Sequence, residues 1–301
     1  MGFLKFEAPT RQGGVILALV GESGSGKTYS ALRVARGFAG DKPFCVLDTE
    51  EGRAGHYNRI AQPWTHAKFP GPWSSARYVE ALSQIEGEGF EVAVIDQASS
   101  EWESEGGVLD AADSSKSKGP SKWLDPKRNH RKFREKLVHS QLKLVIVLLR
   151  EKRLVDWTDP KNPVFMGMVP IQDPRFVYDA TVQLRLTEDG RYEWQKKVTE
   201  ELRSCFPRDG GLLTEETGRL LRAWANDSKP RDPLPDRTAE DQIVEILEEG
   251  EGVATQGSEA LKSWWLMLSP AVKRALEGEK DRLKAMATEA DKPSRVPGSE
   301  G

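Results

Sequence analysis

The residues Gly21-Glu22-Ser23-Gly24-Ser25-Gly26-Lys27-Thr28 have the types and spacing needed to hold a polyphosphate. Gly24 and Gly26 permit backbone conformations that a side chain forbids, so successive N–H groups can point inward at an anion. Lys27 supplies a point charge for the β- and γ-phosphates, and the Thr28 hydroxyl completes the shell of a Mg²⁺ ion that keeps several waters. The expected ATP contacts run from Gly21 through Glu22, Ser23, Gly24, Ser25, Gly26, Lys27 and Thr28 to Tyr29.

A second carboxylate-bearing stretch, Val92-Ala93-Val94-Ile95-Asp96, is an apolar run ending in Asp, and Asp96 is expected to hold a water of the same Mg²⁺ shell. Residue 97 is Gln, so the Asp-Glu pair that many ATPases use at this point is missing. The carboxylate that orients the attacking water must come from elsewhere. Glu50, in Asp48-Thr49-Glu50-Glu51-Gly52 at the close of the preceding apolar run, is the leading candidate, because neighbouring parallel strands bring their C-terminal ends to one crevice. Glu51, Glu101 and Glu103 are reserves, and the bland alternative makes Glu50 a solvated loop carboxylate. Arg150 ends the most apolar stretch of the chain, a position from which a side chain can sense the γ-phosphate.

Basic residues gather at Lys116, Lys118, Lys122, Lys127, Arg128 and Arg131 and continue through Lys132, Arg134 and Lys136, with Trp123 and Phe133 interleaved. Cations for phosphates beside ring faces for bases are what a single-stranded DNA path needs, and Lys116, Lys118, Lys122, Trp123, Lys127, Arg128 and Arg131 are the expected contacts. The solvated face of an amphipathic helix competes with that reading for the second half of the run.

These groups need elements to position them. Val15–Val20 reads as a strand before the phosphate loop, and Ala31, Leu32, Val34, Ala35 and Phe38 recur at helical spacing after it, with Gly40 as the stop. Phe44–Leu47, Val92–Asp96 and Leu142–Leu149 are further strands, and Ser75–Glu86 is a helix. Residues 61–75, 97–122 and 154–175 read as irregular connections, the last carrying Trp157, four prolines and two methionines. Residues 180–198 form a hairpin with an Asp-Gly turn, and Lys196 and Lys197 lie at its far end. Residues 226–237 are a Pro- and charge-rich linker, 238–290 a helical module bearing Trp264 and Trp265, and 291–301 a disordered tail, leaving 1–225 as the core.

At 301 residues the chain has room for one large domain and a small appendage. A net charge of −3 excludes a globally basic nucleic-acid binder, so any such contact must be local. No apolar run approaches a membrane span and the N-terminus lacks a signal-peptide core, which points to a cytoplasmic protein with no membrane partner. Cys45 and Cys205 lie far apart with no ligand spacing and read as free thiols.

Together the phosphate loop, the strand ending Asp48-Thr49-Glu50, the Val92–Asp96 strand and the terminal hairpin resemble the RecA-like ATPase core. More narrowly, the phosphate loop with Tyr29-Ser30-Ala31-Leu32, Asp48-Thr49-Glu50 and Trp102-Glu103-Ser104-Glu105-Gly106-Gly107 resemble the phage-encoded RecA-like AAA-type ATPases, some of which are single-strand annealing recombinases. The resemblance spans about residues 3–207 and implies an α/β fold with a mostly parallel sheet. It also implies hydrolysis of ATP with Mg²⁺ and action on single-stranded DNA during phage recombination or replication, in the cytoplasm of the bacterial host. Glu50 falls at the water-activating glutamate of that family, and Arg150 near its γ-phosphate-sensing glutamine, from which it departs. Lys196 and Lys197 fall near lysines that enter a neighbour's ATP site, which implies a homo-oligomer; the loops after Asp96 and Arg153 take the places of DNA-binding loops. Two other readings stay open: a nucleotide-switched module whose C-terminal helices hold a recombination or replication protein, and a ring-forming packaging or helicase motor.

Overall fold

The computed structural model describes residues 14–159, 161–226, 239–268 and 270–291. The expected linker and C-terminal tail lie, apart from one terminal residue each, outside the described residues. The chain divides into two compact units, the first within Met1–Ser115 and Asp125–Pro233, the second within Lys116–Leu124 and Leu234–Gly301.

The first unit is built on eight strands: β1 (Val15–Gly21), β2 (Phe44–Asp48), β3 (Trp64–Lys68), β4 (Val92–Asp96), β5 (Leu144–Asp156), β6 (Val164–Pro170), β7 (Val182–Leu186) and β8 (Tyr192–Trp194). Their order is β3-β2-β4-β5-β1-β7-β8, with β6 pairing β5 off this path. All pairs are parallel except β5 with β6 and β7 with β8. This is a mixed α/β fold with a mostly parallel sheet.

The unbroken apolar runs follow from burial on both faces. Along β1, Val15, Leu17 and Leu19 enter one core cluster while Ile16, Ala18 and Val20 enter the other. Side chains alternate across a strand, so a central strand with helices on both sides has no polar face to spare.

The helices of this unit are α1 (Lys27–Ala39), α2 (Ser75–Gly87), α3 (Ser99–Glu103), α4 (Val108–Asp113), α5 (Leu124–Val138), α6 (Phe176–Asp179), α7 (Glu200–Arg203) and α8 (Glu215–Asn226), of which α5 takes only its first residue from the second unit. Leu32, Val34, Ala35 and Phe38 of α1 are buried. The helix lies so close to α8 that a Cβ on Gly37 would come 1.8 Å from the Glu215 carbonyl oxygen, and one on Gly218 2.0 Å from that of Val34. Arg33 closes the same contact with a bidentate bond to Glu215. The helix carrying the phosphate loop is thereby fixed from sheet and helix alike.

Three expectations change. Residues 64–68 are an edge strand rather than irregular chain, and β5 runs on past Arg150 to pair with β6, so most of the expected loop at 154–175 is a β-hairpin followed by α6. The expected polar loop at 97–122 holds α3, α4 and a 3₁₀ turn at Gly119–Trp123.

The second unit contains α9 (Ala239–Ala254), α10 (Ser258–Met267), α11 (Pro270–Ala275) and α12 (Lys280–Ala290). Val253, Leu261, Trp264, Leu276, Leu283 and Ala287 make its core, and Leu124 packs against it. Lys116–Leu124 belongs to this unit, where Ser117 also meets Met267 of α10. No helix among the described residues is long and apolar enough to cross a membrane.

Candidate nucleotide-binding site

The strand ends of β1, β2, β4 and β5 open onto a cavity of about 360 Å³. Its lining includes Ser23, Gly24, Gly26, Lys27, Thr28, Glu50, Asp96 and Arg150, gathered from four separate stretches of sequence. Gly24 and Gly26 have φ of 90° and 82°, the left-handed region that favours glycine. Nothing lies within 4 Å of where a Cβ would stand at either. The concave side of the loop is open, as an anion cradle requires. Ser25 Oγ is buried beside Gly21, without a hydrogen-bond partner among the described residues.

Lys27 Nζ donates to the carbonyl oxygens of Gly21 at 2.9 Å and Glu22 at 2.7 Å. Burial pulls its ammonium below the ordinary value, opposed by the charges of Asp96 and Glu50. The Thr28 hydroxyl donates to Asp96 Oδ2 at 2.9 Å, which places the two expected Mg²⁺ ligands side by side. Burial pushes the Asp96 carboxyl up to about 6, with Thr28 pulling the other way and the nearby Glu50 and Asp48 charges adding to the rise. A hydroxyl and a buried carboxylate side by side, next to a glycine-rich loop at a helix N-terminus, fit a divalent cation on a polyphosphate.

Glu50 reaches this cavity on a turn built by Asp48. One Asp48 oxygen accepts from the Glu50 N–H at 2.7 Å; the other accepts from the Ala54 N–H at 3.1 Å and meets His66 Nε2 of β3 at 2.8 Å. Glu50 Oε1 accepts from Gln97 Nε2 and from Arg150 Nη2, each at 2.5 Å, and Arg53 stands 3.5 Å from Oε2. Burial works against the charge on Glu50, but the bonds from Arg150 and Gln97 outweigh it and hold the carboxyl below its ordinary value.

A family model described as an AAA domain matches residues 14–199, which spans the phosphate loop, both carboxylate strands and the terminal hairpin. The chain belongs to this AAA domain family. A search among curated proteins finds no match. Membership in an AAA-type, P-loop ATPase-like family gives the cavity a nucleotide as its natural occupant, and Mg²⁺ usually accompanies the nucleotide.

Other expected residues stand elsewhere. Tyr29 is exposed on the first turn of α1, with the Arg33 guanidinium 5.6 Å from its ring centre. Lys196 donates to the carbonyls of Val177 at 3.2 Å and Ala180 at 2.5 Å within its own chain, and Lys197 is exposed; neither lines the cavity. Glu101 is fully buried, bonded to Ser75, His130 and Gln172, and so is no reserve base. Lys116, Lys118, Lys122 and Trp123 belong to the second unit, and Lys127, Arg128 and Arg131 to the first. Within it, Lys122 sits 5.4 Å from the Trp123 ring centre and Arg128 pairs with Asp125 at 3.1 Å, while Arg134 is bound to Asp179 and Lys136 to Glu86.

Sequence reasoning missed Arg53, His56 and Tyr57, which line the cavity from a 3₁₀ turn after Gly52, and it passed over Gln97 as an absent glutamate. The position of residue 97, one step beyond a strand-terminal Asp, was the available signal.

Proposed function

We propose that this chain is a Mg²⁺-dependent ATPase that acts on single-stranded DNA in phage recombination or replication. The observation that carries the enzymatic part is the convergence of Lys27, Asp96 with Thr28, Glu50 and Arg150 on one cavity. The loop amides and Lys27 bind the phosphates, and Arg150 exchanges its bond to Glu50 for a γ-phosphate oxygen. Mg²⁺, held through Thr28 and Asp96, would neutralise charge developing on the β- and γ-phosphates. Glu50, still held by the Gln97 amide once Arg150 has turned to the phosphate, takes the proton of the attacking water. Phosphate release from ATP, lost in Lys27→Ala, tests this reading.

The β5–β6 hairpin supports the DNA part. Trp157, Phe165 and Met166 are 62%, 58% and 60% exposed, and Lys152 and Arg153 are exposed on the same hairpin. Ring faces beside cations suit stacked bases and phosphates. Arg150 lies on the same strand, so one continuous element joins the γ-phosphate to the hairpin. Stimulation of turnover by single-stranded DNA, and salt-dependent binding to it, test the proposal.

A second reading, a nucleotide-switched module that holds a protein partner, draws on the helical unit. Trp264 is core, but Trp265 lines an apolar cleft of about 400 Å³ with Leu261, Leu283 and Ala287, and Leu266 beside it is 68% exposed. Leu266→Asp separates the readings, because it should disrupt partner binding while leaving ATP turnover and DNA binding intact.

A further inference from the structure

The assignment of Glu50 as base leaves one buried group beside it without a role. Gln97 follows Asp96 at the end of β4 and is 3% exposed. Its N–H donates to Thr49 Oγ1 at 2.9 Å, and its carbonyl accepts from Thr49 Oγ1 and from Tyr78 Oη, each at 3.1 Å. The backbone at this position is therefore held from two neighbouring elements. Its side chain lines the cavity together with Lys27, Glu50 and Arg150. Nε2 donates to Glu50 Oε1, and the opposite orientation is excluded because a carboxylate can only accept. That leaves Oε1 as a buried acceptor with no hydrogen-bond partner among the described residues. Buried acceptors are costly to leave unpaired, and those that persist at functional sites have a job to do.

We propose that Gln97 positions the attacking water, an inference that rests on the reading of Glu50 as base. The amide nitrogen keeps the Glu50 carboxylate in place, including when Arg150 turns to phosphate. The amide oxygen accepts one hydrogen bond from the water, whose other hydrogen faces Glu50 Oε2. The water oxygen forms its bond to the γ-phosphorus as the bond to the β,γ-bridging oxygen breaks. The proton passes to Glu50, and the electron pair of the broken bond leaves on ADP. With two groups on its two hydrogens, the water has one direction left for its lone pair, which is how orientation lowers a barrier. Gln97 thus does the orienting part of the glutamate that many ATPases carry after this strand-terminal Asp, without supplying a charge.

The test compares wild type with Gln97→Leu, Glu50→Gln and the exchange Glu50→Gln/Gln97→Glu. Each is followed by steady-state phosphate release and by equilibrium titration with a non-hydrolysable ATP analogue. In Gln97→Leu, kcat should fall about 100-fold or more, while KM and the analogue affinity stay within about threefold of wild type. The exchange, which restores one carboxylate and one amide to the pair, should recover at least about tenfold over Glu50→Gln alone. A Gln97→Leu enzyme at wild-type kcat, or one whose loss lies in analogue affinity instead, overturns the inference. If Gln97→Leu does not fold, the exchange decides, and no recovery there overturns it equally. The parent reading fails in a different pattern: wild type that binds ATP without releasing phosphate, or Glu50→Gln at full speed.

Discussion

Arg150 and Glu50, one hundred positions apart in the chain, meet at 2.5 Å through Nη2 and Oε1 where β5 and the turn after β2 come together. The pair holds the candidate base and a cation for the γ-phosphate in one bond. A phosphate oxygen that draws Arg150 away frees Glu50 for proton transfer, so the two events are linked by the competition for one guanidinium.

That competition makes Arg150 a discriminator of the third phosphate. Arg150→Ala should weaken ATP binding about 10- to 100-fold, the size of one charge-assisted hydrogen bond, and leave ADP affinity unchanged. Parallel titrations with the two nucleotides read this directly; equal losses for both would place Arg150 outside the γ-phosphate subsite.

The mutual approach of α1 and α8 allows no added methyl. Gly218→Ala should lower stability by about 1–3 kcal/mol or more, because the Cβ would press on the Val34 carbonyl and neither backbone can yield cheaply. Urea unfolding of the variant against wild type measures it.

Asp173 carries a pH signature. Burial opposes its charge, but bonds from the Arg175 guanidinium and backbone N–H outweigh that and pull its carboxyl down to about 2. A folded pKa below the unfolded value near 3.9 means stability that is present above about pH 4 and lost as pH falls towards 2. Asp173→Asn should be less stable than wild type at pH 7, with the difference shrinking towards pH 2. Urea titrations at both pH values check the sign.

The hairpin should behave as an electrostatic and stacking surface. Trp157→Ala is expected to weaken oligo-dT binding by about 1–3 kcal/mol at fixed salt. Replacing Lys152 and Arg153 by Gln should flatten the slope of log K against log salt by about 1.4. Fluorescence anisotropy over a salt series measures both, and unchanged slopes would move the DNA contact off β5.

Much of this architecture was readable before any coordinates. The phosphate loop and Val92–Asp96 carry short-range signals, glycine conformation and an unbroken apolar run, that need no tertiary context. The edge strand β3 was not readable because Trp64, His66 and Ala67 are only half-buried, Thr65 and Lys68 are exposed, and prolines flank it. β6 was hidden because Val164, Phe165 and Met166 are exposed and Met168, Val169 and Pro170 only half-buried, which gives neither alternation nor a buried run. Lys116–Leu124 could not be assigned to the helical unit from charge pattern, since what decides it is contact with helices far downstream, Ser117 with Met267 and Leu124 with the helical core. In the site, Glu50 was singled out by elimination at residue 97, and it lines the cavity. The elimination itself concealed Gln97, whose role depends on an oxygen without a partner.

The hydrolytic assignment is tested most directly by single-turnover phosphate release from ATP bound to wild type and to Glu50→Gln at equal occupancy. Glu50→Gln should bind ATP as tightly as wild type and release phosphate about 10²- to 10⁴-fold more slowly, as expected for loss of a general base. Release at the wild-type rate from Glu50→Gln would contradict the assignment of Glu50, and with it the chemistry derived from this cavity.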